Sequence, residues 1–163
     1  DLLKQCKHLK VSMSINTLDE SFKNDMDNAS SIADRLNTLK TLHENGIYTT
    51  LFISPIFPGI TDCIAIMEKA KDYVDEFWFE NLNLRGSFKA TILAYIDEKH
   101  PQLNDLYKVI YTKGDTSYWM DLAACLEAYC TQNNIRYVNY FYHAELVKAK
   151  LERQAAERSG TTM

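Results

Sequence analysis

Three stretches place polar or turn-forming residues directly behind apolar runs, which is the make-up of a ligand-facing rim. They are Val11-Ser12-Met13-Ser14-Ile15-Asn16-Thr17-Leu18-Asp19-Glu20, then Ser54-Pro55-Ile56-Phe57-Pro58-Gly59-Ile60-Thr61-Asp62, and then Glu76-Phe77-Trp78-Phe79-Glu80-Asn81-Leu82-Asn83-Leu84-Arg85-Gly86. In parallel α/β proteins, ligands collect at the carboxyl ends of strands, where the backbone leaves the sheet and faces solvent. Three such exits predict one shared rim. Ser14, Asn16 and Thr17 offer hydroxyls and an amide that donate and accept without net charge. Pro55, Pro58 and Gly59 shape a strand-to-helix turn whatever else they do. Glu80, Asn81 and Asn83 follow an aromatic run, so they are expected to face a cavity or one another.

Other chemistries find less support. His8, His43, His100 and His143 are scattered, and a surface or capping role is expected for them. The four cysteines, Cys6, Cys63, Cys125 and Cys130, lack paired zinc-type spacing and read as reduced, partly buried thiols. No strand is followed by G-x-G-x-x-G, and G-x-x-x-x-G-K-[ST] is absent, which argues against a Rossmann cofactor site and a P-loop. A net charge of −4 and a pI near 5.6 supply no basic field for a phosphate backbone, so nucleic acid is not a favoured partner. The aromatic stretch Tyr137, Tyr140, Phe141, Tyr142 is accompanied only by Arg136 and Lys148, and core packing is the safer reading. No apolar run reaches the roughly 20 residues of a membrane span and no signal-peptide pattern opens the chain, so a cytoplasmic protein without a membrane partner is expected.

The elements that must position the rim alternate in period. Val11, Met13 and Ile15 against Ser12, Ser14 and Asn16 predict a strand over 10–16 with one apolar and one polar face. A helix capped by Ser30 or Ser31 carries Ile32, Leu36, Leu39 and Leu42 and stops at Asn45-Gly46. Residues 47–53 predict a parallel strand covered on both faces. Helices are predicted over 62–73, 87–99, 102–113 and 118–133, with strands over 76–82 and 135–142. The charged tail, 145–163, is expected to fray. With 163 residues, 46% of them hydrophobic, the chain is long enough for one core. It opens at Asp1 with what looks like the last turns of an amphipathic helix running into a strand, and the expectation is a truncated parent.

The order of these pieces resembles radical SAM proteins, nearest to the branch related to spore photoproduct lyase. The resemblance runs over about residues 10–110 and rests on Ser12 to Glu20, on Arg35-Leu36 leading a helix into Glu44-Asn45-Gly46-Ile47, and on Ile53 to Asp62. It implies an α/β fold: three to four βα units of a (β/α)6 partial barrel, with residues 1–144 as the C-terminal part of that domain. In the family a [4Fe-4S] cluster sits on a C-x3-C-x2-C loop and S-adenosylmethionine chelates its unique iron. Reductive cleavage then yields a 5′-deoxyadenosyl radical. This chain has no C-x3-C-x2-C, so the resemblance implies that both cofactors belong to the intact parent, that this fragment binds neither, and that it is inactive alone.

By the same resemblance, Ser14 is the first candidate for a ribose hydroxyl partner, followed by Asn16 and Thr17, and Arg35 reaches the methionine carboxylate unless it pairs with Asp34 or Asp19. Ile53, Ser54, Pro55 and Ile56 form the region that packs on adenine. Glu80 stands with Asn81 and Asn83 on the cofactor wall, Asn81 and Asn83 contact adenine or substrate, and Arg85 binds an anionic group or pairs with Glu80. The implied partners are the missing N-terminal half of the barrel and, for the exposed half-barrel face and edge strand, a second copy of the chain. A non-catalytic α/β binding or assembly module is the alternative, and no substrate is specified by these residues.

Overall fold

The structure is a computed structural model that describes residues 3–6 and 8–141. Four strands, β1 (Lys10–Ser14), β2 (Tyr48–Ile56), β3 (Glu76–Asn81) and β4 (Tyr137–Asn139), form one all-parallel sheet in the order β1-β2-β3-β4. Between them run α1 (Glu20–Met26) and α2 (Ile32–Glu44), then α3 (Cys63–Ala70), then α4 (Gly86–Lys99), α5 (Asn104–Tyr111) and α6 (Ser117–Gln132). The chain is thus an α/β protein with an open parallel sheet, and β1 and β4 lie at its edges.

Strand alternation divides the sheet into two unlike faces. Met13, Leu51, Ile53, Phe77, Phe79 and Tyr137 pack against Leu36 and Leu39 of α2, Ile66 and Met67 of α3, and Trp119, Leu126 and Cys130 of α6. The alternate positions form the other face: Ser12 and Ser14 are exposed, and Phe52, Ser54, Trp78 and Glu80 are half-buried. β2 is covered on both faces as expected, with no exposed position along its length, by described helices on one face and by side chains on the other. On that second face Lys10 of β1 and Glu76 of β3 pair across β2, with the ammonium 5.0 Å from the Tyr48 ring centroid and 4.6 Å from that of Trp78. Thr50, which aligns with Glu76 in the ladder, is fully buried.

A second apolar cluster sits at the carboxyl ends of the strands, where Phe22 of α1 meets Phe57, Leu82, Leu84, Ile92, Ile96 and Tyr107. α1 begins where the sequence predicts a strand exit, at Asp19-Glu20. Asp19 is in fact the N-cap, its carboxylate accepting from the N–H groups of Ser21 (2.7 Å) and Phe22 (3.3 Å). A helix of only seven residues is marginal by itself and is held here by the packing of Phe22.

Other boundaries move for local reasons. α2 matches its expected caps, with Ser31 accepting from the Asp34 N–H at 3.0 Å and Gly46 at φ +75° behind Asn45. β2 does not stop at Ile53 but runs through a cis Ser54–Pro55 peptide to Ile56. Proline brings no N–H to the ladder, and the β2–β3 register shifts between Ile53 and Ile56. α3 ends at Ala70 rather than near Tyr73, and a 3-10 turn at Pro101–Leu103 precedes α5. Of the described residues of the expected strand 135–142 only Tyr137–Asn139 form β4, which pairs with β3, with Tyr137 opposite Phe77 and Asn139 opposite Phe79. Among the described residues before β1, where the end of a helix is expected, Leu3–Gln5 form a 3-10 turn. The expected domain boundary at 144, the tail 145–163, Tyr142 and His143 lie outside the described residues.

Candidate functional site

A cavity of about 410 Å³ opens at the carboxyl ends of β1 and β2, and Ser14, Asn16, Arg35, Ser54 and Pro55 all line it. Thr61 ties the two strand exits together: its Oγ1 donates to the Asn16 carbonyl at 2.8 Å and accepts from the Phe57 N–H at 2.9 Å. Thr17 is placed differently. It is buried, and its Oγ1 accepts from the Asp19 N–H at 3.0 Å, so it shapes the loop into α1 and does not line the cavity.

Arg35 is 8% exposed and almost fully engaged. Nη2 donates to both Asp27 carboxylate oxygens at 3.0 and 3.1 Å, Nη1 to the Ser14 carbonyl at 3.0 Å, and Nε to the Ser30 carbonyl at 3.0 Å. Its carboxylate partner is therefore Asp27 and not Asp34 or Asp19. Asp34 instead accepts from the Ser31 hydroxyl at 2.7 Å. Burial alone would raise the Asp27 carboxyl, but the Ala29 N–H, the Arg35 guanidinium and the Lys23 ammonium outweigh it and hold it below the usual carboxylate range. Lys23 is buried too, its ammonium donating to the Ala29 carbonyl and lying 3.7 Å from Asp27. The 27–31 loop is thus a charged clamp behind the cavity, and Arg35 orients the last carbonyl of β1.

The far wall comes from α1 and α4. Asp25 accepts from the Tyr95 hydroxyl at 2.8 Å, and burial, then that bond and the Asp25 charge, push Tyr95 up to about 12. Phe88 stands 52% exposed on α4 at the cavity lining. Asp25, Asp27, Thr61, Phe88 and Tyr95 were not singled out from the sequence. Their only local signal is helical or loop placement, and the fold brings them to the strand exits across long separations.

Glu80, Asn81 and Asn83 line a second cavity of about 430 Å³. The joint between the two cavities is a 2.6 Å hydrogen bond from Ser54 Oγ to Glu80 Oε2. Arg85 does not pair with Glu80: its Nε donates to Asn83 Oδ1 at 2.9 Å. Ile53 and Ile56 are fully buried among the sheet and helix residues of the core and line neither cavity, so of that group Ser54 and Pro55 face the site.

Cys63 and Cys130 are buried and Cys6 and Cys125 exposed. Burial pushes the Cys63 thiol up to about 12 and that of Cys130 up to about 11, so neither is a ready thiolate at neutral pH. Among the described residues, no three His, Cys, Asp or Glu side chains converge to hold a metal ion, and no helix is long and apolar enough to cross a membrane.

No protein-family model matches the chain, and no solved structure matches it. Among curated proteins, the uncharacterized protein MJ0683 of Methanocaldococcus jannaschii is 34% identical over 124 residues, which is 74% of this chain and 45% of that protein. The chain therefore spans less than half the length of this relative.

Proposed function

We propose that this chain is part of a radical SAM enzyme of the branch related to spore photoproduct lyase, contributing three to four βα units of a (β/α)6 partial barrel. The observation that carries the reading is the convergence of Ser14, Asn16, Arg35, Ser54 and Pro55 on one cavity at the strand ends. A volume of about 410 Å³ falls in the range of small-molecule sites. The residue types fit S-adenosylmethionine. Ser14 and Asn16 suit ribose hydroxyls, Pro55 offers a flat apolar surface to adenine, and Arg35 keeps one guanidinium N–H beyond its four bonds for a carboxylate. Glu80, Asn81 and Asn83 then face adenine or substrate from the adjoining cavity.

The iron–sulfur cluster does not fit the described residues, and its ligands are assigned to the missing N-terminal half of the parent. When bound there together, the cluster and S-adenosylmethionine supply the initiating radical. This chain's own residues position the nucleoside and exclude water from one wall. The face of the sheet away from the helices suits the partner half, or a second copy of the chain, and a cytoplasmic location accords with this chemistry.

The test begins with the reading frame upstream of Asp1, where C-x3-C-x2-C is expected. Anaerobic reconstitution of the parent should then give S-adenosylmethionine binding that the Ser14→Ala, Asn16→Ala double variant weakens roughly tenfold, the worth of two ordinary hydrogen bonds. An upstream region without those cysteines, or unchanged affinity in the double variant, would overturn the reading. The first of these results selects a non-catalytic binding or assembly module.

A further inference from the structure

On the face of the sheet away from the helices, Phe52 of β2, Trp78 of β3 and Tyr140 just beyond β4 meet edge to face. Their centroids are 5.8 Å (Phe52–Trp78), 6.2 Å (Phe52–Tyr140) and 5.7 Å (Trp78–Tyr140) apart, at interplanar angles of 84°, 67° and 76°. Together with Glu80 they line a pit of about 180 Å³, and all four residues are half-buried. Among the described residues, neither apolar cluster accounts for the trio. Trp119 and Phe141 are absorbed into the helix-packed core, whereas Phe52, Trp78 and Tyr140 belong to neither apolar cluster.

The charge at the pit is equally specific. Glu80 accepts the Ser54 hydroxyl, but among the described residues no Lys, Arg or His pairs with its carboxylate. Four residues earlier on β3, the same ingredients are complete: Glu76 holds the Lys10 ammonium, which lies 4.6 Å from the Trp78 centroid and 5.0 Å from that of Tyr48. The negative face of an aromatic ring attracts a cation, and a nearby carboxylate adds to that attraction. Among the described residues, the pit repeats this set of a carboxylate and steeply inclined rings without an ammonium of its own.

We propose that the pit is a binding site for an organic cation, the primary or methylated ammonium group of a ligand. Glu80 balances the charge and Phe52, Trp78 and Tyr140 supply ring faces. The volume lies below that of a whole drug-sized ligand, so the pit receives a head group and the remainder of the ligand extends outward. A hard metal ion is a poor match, because it requires several oxygen ligands where the pit offers one carboxylate. The site stands on the rings and on Glu80, and it does not depend on radical chemistry.

The experiment titrates the 163-residue chain at low micromolar concentration with tetramethylammonium chloride at constant ionic strength, following the ligand methyl protons by NMR. tert-Butanol serves as a neutral ligand of similar shape. Saturable binding with upfield-shifted methyls is expected, at least about tenfold tighter than that of tert-butanol. Glu80→Gln, which preserves shape, should weaken it about five- to tenfold, and Trp78→Leu by a similar factor with the far-UV circular dichroism of the native chain. Equal affinity for the neutral ligand, no saturation by tetramethylammonium, or native-like binding by the Glu80→Gln variant would overturn the proposal.

Discussion

Replacing Asp27 with Asn removes one charge from the clamp behind the candidate cavity and leaves its shape. The Arg35 side chain, 9% exposed, would keep the Ser14 and Ser30 carbonyls and lose its only carboxylate among the described residues. Removing one partner of a fully buried ion pair costs about 3–5 kcal/mol. The Asp27 side chain, however, is 42% exposed, so water already screens the pair, and a pair wholly at the surface is worth about 0–1 kcal/mol. The expected loss therefore falls between these limits, at about 1–2 kcal/mol. A double-mutant cycle with Arg35→Met isolates the coupling, read from urea unfolding at pH 7 with unchanged m-values. The pH dependence has a fixed sign. The folded-state value of Asp27 is depressed, so its contribution is fully present above the ordinary carboxylate value of about 3.9 and fades as pH falls through the lowered folded value. A coupling below about 0.5 kcal/mol at pH 7, or one that grows on acidification below pH 4, would refute the clamp.

At the other end of the sheet, Asp75 accepts from the N–H of fully buried Thr49 at 2.7 Å, from the Thr49 hydroxyl at 3.1 Å, and faces His43 Nδ1 at 3.4 Å. Asp75→Ala leaves that N–H without its acceptor and should cost about 2–3 kcal/mol in urea unfolding, whereas Asp75→Asn, which keeps an acceptor oxygen, should cost less. Burial raises the Asp75 carboxyl, but Thr49 and His43 together hold it below the usual range, so the Asp75→Ala deficit should shrink as pH falls through that lowered value. The edge strand β1 and the sheet face that no described helix covers predict self-association of the isolated chain, and a monomer mass independent of concentration in sedimentation equilibrium would count against it.

Residue order alone determined the alternation of elements, because helical and strand periods are local properties. Ile32, Leu36 and Leu39 at helical spacing, the Ser31 and Asn45-Gly46 caps, and the apolar and polar sides of 10–14 all appear in place. It also pointed to the strand exits, because prolines, glycines and polar residues behind apolar runs mark where a chain leaves a sheet. What it could not decide were contacts between residues remote in sequence. α1 was invisible because Phe22 is stabilised by Phe57, Tyr95 and His100 rather than by its neighbours. The partner of Arg35 depended on where the 27–31 loop closes, and many carboxylates stood equally near in sequence. Ser54 and Glu80, 26 residues apart, meet only because β2 and β3 are adjacent strands. Above all, alternation separates two faces of a strand but does not say which one helices will cover. That was decided by α2, α3 and α6 gathering on one side of the sheet, which left Phe52, Trp78 and Glu80 on the other.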